Sequence, residues 1–279
     1  MNRSARLRVG AVNYLNTKPL VYRLDRLAPQ ADLVFDLPSR LADRLAAGNL
    51  DVALIPSVEF FQNPDYRIVS DACIACRGPV LSVKLFSRVA PERIGRLALD
   101  EGSRTSAALV RILLRERFGI EPRLQSLPIG AGLESSDADA VLLIGDRAMH
   151  SPPGRFAEVW DLGDAWVQWA ELPFVFAMWT ARNDAELNGL ETALGETRDL
   201  GVAHLPGIAA VEAAPLGLTV PQCVSYLRDN LHFFLGPREH EGLKRYYDLA
   251  VGLGLAPAGR NLKHATQRTG FFGHELSAP

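Results

Sequence analysis

Apolar strands alternate with amphipathic helices in the first third of the chain, and this alternation limits the possible folds more than any other feature. Apolar runs at 7–12, 32–37 and 51–55 are typical of strands, and a helical pattern follows each of them. Strands separated by helices pair in parallel through right-handed crossovers. The sequence therefore predicts an α/β fold whose strand-to-helix turns gather at one edge of a sheet.

The rest of the chain predicts a second lobe. A further unit of strands and helices occupies the middle third, and a strongly β-prone run at 172–179 then leads into a mainly helical last third. This order predicts two lobes with mixed sheets, a discontinuous lobe I of 1–87 plus 172–279 and an inserted lobe II of 88–171. The chain would cross between them twice, near Ser87 and near Leu172. Two crossings form a hinge, and ligands favour the cleft between hinged lobes.

The turn after the first predicted strand is rich in polar side chains. Residues 13–17 contain two asparagines, a tyrosine and a threonine, and a helical pattern resumes at Lys18. Ligands of open α/β sheets bind at such turns. Pro19 suits the first turn of that helix, and Asn16 or Thr17 is a suitable cap. A plain capped turn without a ligand is the alternative interpretation.

Similar polar turns recur at other strand ends. The strongest is 103–106, which combines three hydroxyl groups, a cation and a helix N-terminus. Small hydroxyl, amide and backbone N–H groups favour carboxylates, although an ordinary N-cap with a solvated arginine explains the same residues. The candidate substrate-binding residues are Asn13, Tyr14, Ser57, Ser103, Arg104, Thr105, Ser106, Gly145 and Asp146.

Charge and hydropathy limit the class of partner. The formal net charge of −2 gives no general attraction for nucleic acid or an anionic membrane. No stretch approaches the roughly 18 apolar residues of a membrane span, and the N-terminus shows no apolar signal-peptide core. We therefore expect a cytoplasmic protein that binds a small molecule, with no nucleic acid and no membrane as partner. A homodimer is compatible with the sequence.

Metal and redox chemistry have little support. Cys73 and Cys76 have the spacing of a redox or zinc half-site, but no second ligand pair lies nearby. The segment between them is typical of a strand, in which residues three apart face opposite sides of the sheet. We therefore expect no metal site.

Candidates for a protein base are few. Asp100, Glu101 or Asp146 would serve if burial raised its pKa. Helix capping, or pairing with an arginine such as Arg147, is the alternative role. The six histidines are scattered and none lies on a strand-to-helix turn, so the sequence gives little support to a histidine base.

Six short motifs follow one another along the chain. They are Tyr14-Leu-Asn-Thr-Lys-Pro-Leu20, Asp51-Val-Ala-Leu-Ile-Pro-Ser57, Gly78-Pro-Val-Leu-Ser82, Ser103-Arg-Thr-Ser106, Leu143-Ile-Gly-Asp146, and Asp161-Leu-Gly followed by Trp169 and Leu172-Pro-Phe-Val-Phe-Ala-Met-Trp179. Each is weak alone, but six in one order are specific. Together they resemble the chorismate dehydratase family of the futalosine route to menaquinone. The resemblance is good over 7–182 and looser to about residue 255.

The resemblance implies a function and a fold. It implies the two-lobed fold of type II periplasmic binding proteins, used by a cytoplasmic enzyme. It also implies a carbon–oxygen lyase that dehydrates chorismate to 3-[(1-carboxyvinyl)oxy]benzoate without a metal or an organic cofactor. By motif position, Asn16 and Ser82 would lie nearest to the chemistry, and Thr105 and Ser106 would bind a carboxylate. Because the motifs aim no obvious histidine or lysine at the cleft, we hypothesise that the substrate's enolpyruvyl carboxylate takes the proton.

Two other functions fit parts of the sequence. A small-anion binding protein of the same fold would deliver its ligand to a transporter, but such proteins need export or a lipid anchor, and we find no signal for either. The related enzyme that makes 1,4-dihydroxy-6-naphthoate shares the fold. That enzyme is expected to place a histidine near its cleft, and no histidine here falls on a matching turn.

Overall fold

The computed structural model describes residues 6–150, 156–260 and 262. The parts of the predicted lobes at 1–5, 151–155, 261 and 263–279 lie outside the described residues. The strands are β1 (Leu7–Val12), β2 (Ala31–Asp36), β3 (Val52–Pro56), β4 (Tyr66–Cys76), β5 (Val83–Ser87), β6 (Arg96–Asp100), β7 (Arg123–Leu127), β8 (Ala140–Ile144), β9 (Glu158–Asp161), β10 (Phe174–Arg182) and β11 (His232–Phe234).

Helices connect and cover these strands. The α-helices are α1 (Leu24–Leu27), α2 (Pro38–Ala46), α3 (Ser57–Gln62), α4 (Arg104–Phe118), α5 (Leu162–Ala170), α6 (Leu190–Ala203), α7 (Leu205–Glu212), α8 (Val220–Ser225) and α9 (Pro237–Gly252). Short 3₁₀ helices cover Leu15–Val21, Pro91–Arg93, Leu133–Ser135, Asp146–Met149 and Ala214–Leu216, and a π-helix covers Tyr226–Asn230.

The first sheet has the strand order β11-β4-β10-β3-β1-β2. Its β1 strand pairs in parallel with β2 and β3, as the alternation of strands and helices predicts. The β10 strand runs antiparallel between β3 and β4. The last third of the chain therefore completes the sheet that the first third begins.

The second sheet has the order β7-β6-β8-β5-β9. Here β6 pairs in parallel with β7 and β8, whereas β5 runs antiparallel to β8 and β9. Both sheets are therefore mixed. Helix α4 follows β6 after a short turn and ends at Gly119, whose left-handed backbone (φ +68°) forms the C-cap.

The position of β5 corrects the predicted lobe boundary. We placed 83–87 in lobe I, but this strand pairs with β8 and β9 in the second sheet. The outward crossing therefore lies between Cys76 and Val83, before the predicted position near Ser87. The apolar character of 80–87 did not mark the crossing, because a strand of either sheet is equally buried.

The first helix also differs from its prediction. A 3₁₀ helix begins at Leu15, and Pro19 lies inside it, not in the first turn of a helix beginning at Lys18. The N-cap residue is Tyr14, and no side chain caps this end. The prediction that Asn16 or Thr17 caps the helix is therefore wrong. Pro19 has no N–H to donate, and a short 3₁₀ segment tolerates it better than an α-helix.

One apolar core runs through both lobes. Between β10 and the helices that cover the hinge, Trp166 packs edge-on against Phe174, with ring centroids 5.2 Å apart. The same Phe174 ring lies 4.9 Å from that of Tyr246 in α9. These aromatic contacts stabilise the return crossing, which runs from the end of β9 to the start of β10. Offset and edge-on aromatic pairs contribute about 0.5–1.5 kcal/mol each.

Candidate active site

A cavity lies where the turns of the two sheets meet. Its empty volume is about 540 Å³, a figure that includes space open to solvent. The polar side chains that line it are Tyr14, Asn16, Ser82, Ser103, Thr105 and Ser106. Apolar residues, among them Ile74, Ile144 and Phe176, form the rest of the wall. The cavity therefore offers polar groups and an apolar surface to one ligand.

The 3₁₀ helix after β1 brings Asn16 to the cavity. The amide oxygen of Asn16 accepts a hydrogen bond from the Thr17 hydroxyl at 3.2 Å. Its NH₂ group is therefore the part of the amide that remains to donate. Asn16 can thus stabilise negative charge on a ligand.

Ser82 lies on the outward crossing between the sheets, and its backbone is tightly turned. The Ser82 N–H donates to the carbonyl of Val80 at 2.7 Å, and Leu81 has a left-handed backbone with φ +60°. The Asp161 carboxylate accepts the N–H groups of Val80 (2.9 Å) and Leu81 (2.6 Å). It also accepts two N–H groups from the first turn of α5. Asp161 therefore ties the outward crossing to the return crossing.

Helix α4 points its N-terminus at the cavity. Its first backbone hydrogen bond joins the Ala107 N–H to the Ser103 carbonyl, so the N–H groups of 104–106 have no partner within the helix. Ser103 makes no side-chain capping bond. A helix N-terminus with free N–H groups attracts anions. Together with the Ser106 hydroxyl, it can bind a carboxylate.

Contacts on two sides of the cavity join the lobes. On one side, the Leu15 N–H donates to the Asp146 carboxylate at 3.1 Å, and burial raises the pKa of Asp146. On the other side, Arg104 of α4 pairs with Asp43 at 2.7 Å and with Glu59 at 3.1 Å. Burial raises the pKa of Glu59, although Arg104 opposes the shift. These contacts hold the two lobes against each other beside the cavity.

No carboxylate, imidazole or amine lines the cavity among the residues that the structure describes. Asp100 makes an ion pair with Arg147 and accepts the backbone N–H groups of Gly102 and Ile144. The alternative role for Asp100, pairing with an arginine, is therefore confirmed. The ionisable group of the lining is Tyr14, whose pKa is raised to about 12 by burial and, next, by the Asp100 charge.

Comparisons with known proteins identify the family. A model of the family described as "Menaquinone biosynthesis" matches residues 7–251. The chain belongs to this menaquinone-biosynthesis family. The chain is also similar to the chorismate dehydratase of Thermus thermophilus. The two are 34% identical over 269 residues, which cover 89% of this chain and 96% of the relative.

Solved structures show that this family member has a periplasmic-binding-protein-like fold. A protein of Archaeoglobus fulgidus superposes with a TM-score of 0.68 at 16% identity, over 91% of this chain and 100% of its own. The periplasmic aliphatic sulphonate-binding protein of Escherichia coli superposes with a TM-score of 0.65 at 16% identity, over 99% and 96%. At such identities the likeness concerns the fold alone. It confirms the predicted α/β class with two mixed sheets.

The structure brings most of the predicted site residues together. Seven of them line the cavity, namely Tyr14, Asn16, Ser82, Ser103, Thr105, Ser106 and Gly145. The Thr105 hydroxyl is also engaged between the lobes, where it accepts the Val58 N–H at 3.3 Å. The site that the sequence motifs outline is thus one continuous surface in this family member.

Four predicted substrate-binding residues have other partners. Asn13 is exposed and accepts a hydrogen bond from Lys18 at 3.2 Å. Ser57 is buried beneath Thr105 and donates to the Val175 carbonyl at 2.7 Å. Arg104 and Asp146 join the lobes, as described above. The polar groups of these four residues are hydrogen-bonded or ion-paired within the protein, and none of the four lines the cavity. They support its walls.

Sequence reasoning missed two residues that hold the turn carrying Ser82, namely Asp161 and Tyr226. Asp161 lies in the last of the six motifs, and its position before a helix signals an N-cap. Tyr226, whose hydroxyl donates to the Ser82 hydroxyl oxygen at 2.8 Å, carries no local signal. It is 144 residues away from Ser82 in the sequence, and only the fold brings the two side chains together.

The described residues show neither a membrane span nor a metal cluster. No helix among them is both long and apolar enough to cross a membrane. Across the same part of the chain, no group of three or more His, Cys, Asp or Glu side chains is arranged to hold a metal ion. Cys73 and Cys76 are buried thiols, and burial raises the pKa of Cys76 to about 12.

Proposed function

We propose that this chain is a chorismate dehydratase, a carbon–oxygen lyase of menaquinone biosynthesis. The reaction removes a proton from the ring carbon that bears the enolpyruvyl ether and hydroxide from the neighbouring carbon. The two leave as one water, and 3-[(1-carboxyvinyl)oxy]benzoate remains. We also propose that the enzyme works in the cytoplasm and takes chorismate as its small-molecule partner.

The observation that carries this proposal is the convergence of separate motifs on one cavity. Asn16, Ser82 and Ser106 come from three distant parts of the sequence, yet all three line the same cavity. The relative that is named a chorismate dehydratase matches this chain over nearly its whole length.

The cavity suits a dianionic, cyclic substrate. We assign one carboxylate to the N-terminus of α4, where N–H groups and the Ser106 hydroxyl donate. The apolar wall near Ile74 and Phe176 would pack against the ring. Binding in a closed cleft would hold the substrate in one conformer and exclude water, which lowers the barrier by orientation and by strengthening each hydrogen bond.

We propose that the substrate provides its own base. A carboxylate, imidazole or amine is missing from the cavity lining in the described part of the chain, whereas the enolpyruvyl carboxylate of bound chorismate can reach the ring proton. Asn16 and Ser82 would orient that carboxylate and stabilise the charge that develops as hydroxide leaves. Aromatisation of the ring supplies the driving force. No cofactor takes part in this mechanism.

Turnover of chorismate tests the proposal. Purified protein treated with a chelator is mixed with chorismate, and the products are followed by chromatography and mass spectrometry. We expect a product lighter by one water. We expect Asn16→Ala to lower kcat by about 10²–10³-fold, the usual effect of removing one transition-state hydrogen-bond donor.

Two outcomes would contradict the proposal. Tight binding of chorismate without any turnover would indicate a small-anion binding protein of the same fold. Turnover with a steep limb near neutral pH that disappears in Asp146→Asn would indicate a protein base in place of the substrate carboxylate.

A further inference from the structure

The hydroxyl of Tyr226 lies behind the cavity wall and contacts Ser82, one of the two predicted catalytic residues. Its O–H donates to the Ser82 hydroxyl oxygen at 2.8 Å. Tyr226 itself is only 1% exposed and does not line the cavity. One buried phenol therefore holds the Ser82 hydroxyl from behind the wall, although the two residues lie 144 positions apart in the sequence.

The backbone around Tyr226 has an unusual conformation and contacts the outward crossing that carries Ser82. Tyr226 opens the π-helix Tyr226–Asn230, which directly follows α8. Turns of π-helix are rare in proteins, and those that occur often lie at functional sites. At the other end of the turn, the Asn230 side chain donates to the Pro79 carbonyl at 2.9 Å. The π-helix therefore holds the outward crossing at two points, Pro79 and Ser82.

The hydrogen bonds have a definite direction. Tyr226 has a single proton and donates it to Ser82. The Ser82 oxygen is then an acceptor on its buried side, and its own proton is left to point into the cavity. Each donor in such a chain strengthens the next.

We propose that Tyr226 is a positioning residue, which turns the Ser82 hydroxyl proton toward the substrate. This inference rests on the proposed function, in which Ser82 and Asn16 act on chorismate. Tyr226 does not touch the substrate and transfers no proton. Its phenol stays protonated at neutral pH, because burial raises its pKa.

A double-mutant cycle tests this role. Tyr226→Phe, Ser82→Ala and the double variant are compared by steady-state turnover of chorismate. We expect Tyr226→Phe to lower kcat by about 10–100-fold, as is usual when the support of an active-site group is removed, and to change KM by less than about twofold. In the Ser82→Ala background the same change should lower kcat by less than about twofold, since the group that Tyr226 orients is gone.

Tyr247→Phe is the matched control. Tyr247 is also buried, and its hydroxyl donates to the Pro257 carbonyl at 2.9 Å and accepts the Arg260 N–H at 2.8 Å. Tyr247→Phe removes a buried, hydrogen-bonded hydroxyl, as Tyr226→Phe does, but at a position outside the cavity lining. Its thermal unfolding should shift by a similar amount to that of Tyr226→Phe, while its kcat stays within about twofold of wild type.

Other results would overturn the inference. An equal fall of kcat in the wild-type and Ser82→Ala backgrounds would mean that Tyr226 acts independently of Ser82. A rise of KM alone would mean that it supports binding only. A crystal structure of Tyr226→Phe gives a readout independent of the reaction. We expect it to show a turned Ser82 hydroxyl, and an unchanged Ser82 side chain would refute the inference. Failure of the wild-type protein to dehydrate chorismate would refute only the proposed function.

Discussion

Gly145 shows how one residue determines the shape of the cavity. Its backbone, with φ +75° and ψ −165°, lies in a region that is essentially restricted to glycine. A Cβ atom at this position would lie 2.8 Å from the Tyr14 ring. Gly145 therefore allows the ring of lobe I and the turn of lobe II to meet at the cavity wall.

We predict that Gly145→Ala weakens both folding and substrate binding. Backbone strain should lower the free energy of unfolding by about 1–3 kcal/mol, and displacement of Tyr14 should raise KM for chorismate. Gly119→Ala is the control, because Gly119 also has a positive φ but a Cβ atom added there would meet nothing within 4 Å. It should cost about 1–2 kcal/mol in urea unfolding and leave KM unchanged. An unchanged KM in Gly145→Ala would contradict the argument.

Among the secondary-structure elements, the two crossings matter most, because Asp161 joins them. Its carboxylate accepts N–H groups from the outward crossing and from α5 on the return crossing. Leu81 holds a left-handed backbone on this crossing, which costs about 1–2 kcal/mol for a residue with a side chain. The hydrogen bonds to Asp161 offset this strain and fix the turn that carries Ser82.

We predict that Asp161→Asn lowers both stability and kcat. An amide NH₂ facing a backbone N–H cannot accept, so unfolding should require about 1–3 kcal/mol less, and kcat should fall as Ser82 moves. Asp139→Asn is the control: Asp139 accepts the N–H groups of Gly95 (3.0 Å) and Arg96 (2.7 Å) within lobe II. It should lose stability without loss of kcat. An equal loss of kcat in the two variants would contradict a special role of Asp161 in the hinge.

The ion pairs between α4 and the helices of lobe I give a third prediction. Arg104 is 36% exposed and pairs with Asp43 and Glu59. We expect Arg104→Gln to raise KM about twofold to tenfold and to increase the radius of gyration in solution scattering, because each such pair stabilises the closed form by about 0.2–1 kcal/mol.

A partner variant separates this role from substrate binding. If Arg104 joins the lobes, Asp43→Asn should raise KM in the same direction. If Arg104 contacts chorismate, as the sequence predicts, Asp43→Asn should leave KM unchanged. Arg115→Gln is the control on the same helix, since Arg115 pairs with Glu121 at 2.9 Å, away from Asp43 and Glu59.

At the scale of the whole molecule, buried phenols and thiols make the fold sensitive to alkali. Burial raises the pKa of Cys76 to about 12 and the pKa values of Tyr226 and Tyr246 well above the ordinary range. A native pKa above the unfolded value means that the native state binds more protons. The stability from these groups is therefore complete below their unfolded pKa values, about 8.5 for Cys and 10 for Tyr, and is lost as pH rises toward the native values.

We predict that the free energy of unfolding falls steadily above about pH 9. Each buried group should contribute a loss of about 1.4 kcal/mol per pH unit between its unfolded and native pKa. Tyr226→Phe should make the slope between about pH 10 and 11 shallower by that amount. Urea unfolding at a series of pH values measures this slope, and an identical slope in wild type and variant would contradict the assignment.

The homodimer stays a prediction, and sedimentation of the folded protein tests it.

Much of the fold could be predicted from local patterns. Apolar runs and helical periodicity located β1 to β3 and the helices that follow β2 and β3, because these signals depend only on residues near in sequence. The short strands β9 and β11 and helix α5 were missed. Strand β11 has only three residues, and such a short strand is stabilised by its neighbour β4, not by its own sequence.

The sequence by itself determined the α/β class, the two lobes, and the polar turns that supply Asn16 and Ser106, since each depends on local periodicity and on polar residues at strand ends. Ser82 was found only through the resemblance of its motif. The tertiary structure alone decided three other features: the sheet to which β5 belongs, the use of Arg104 between the lobes, and the contact of Tyr226 with Ser82. Strand pairing, ion pairing and buried hydrogen bonds join residues that are distant in sequence, and their partners are chosen by packing and burial of the whole chain.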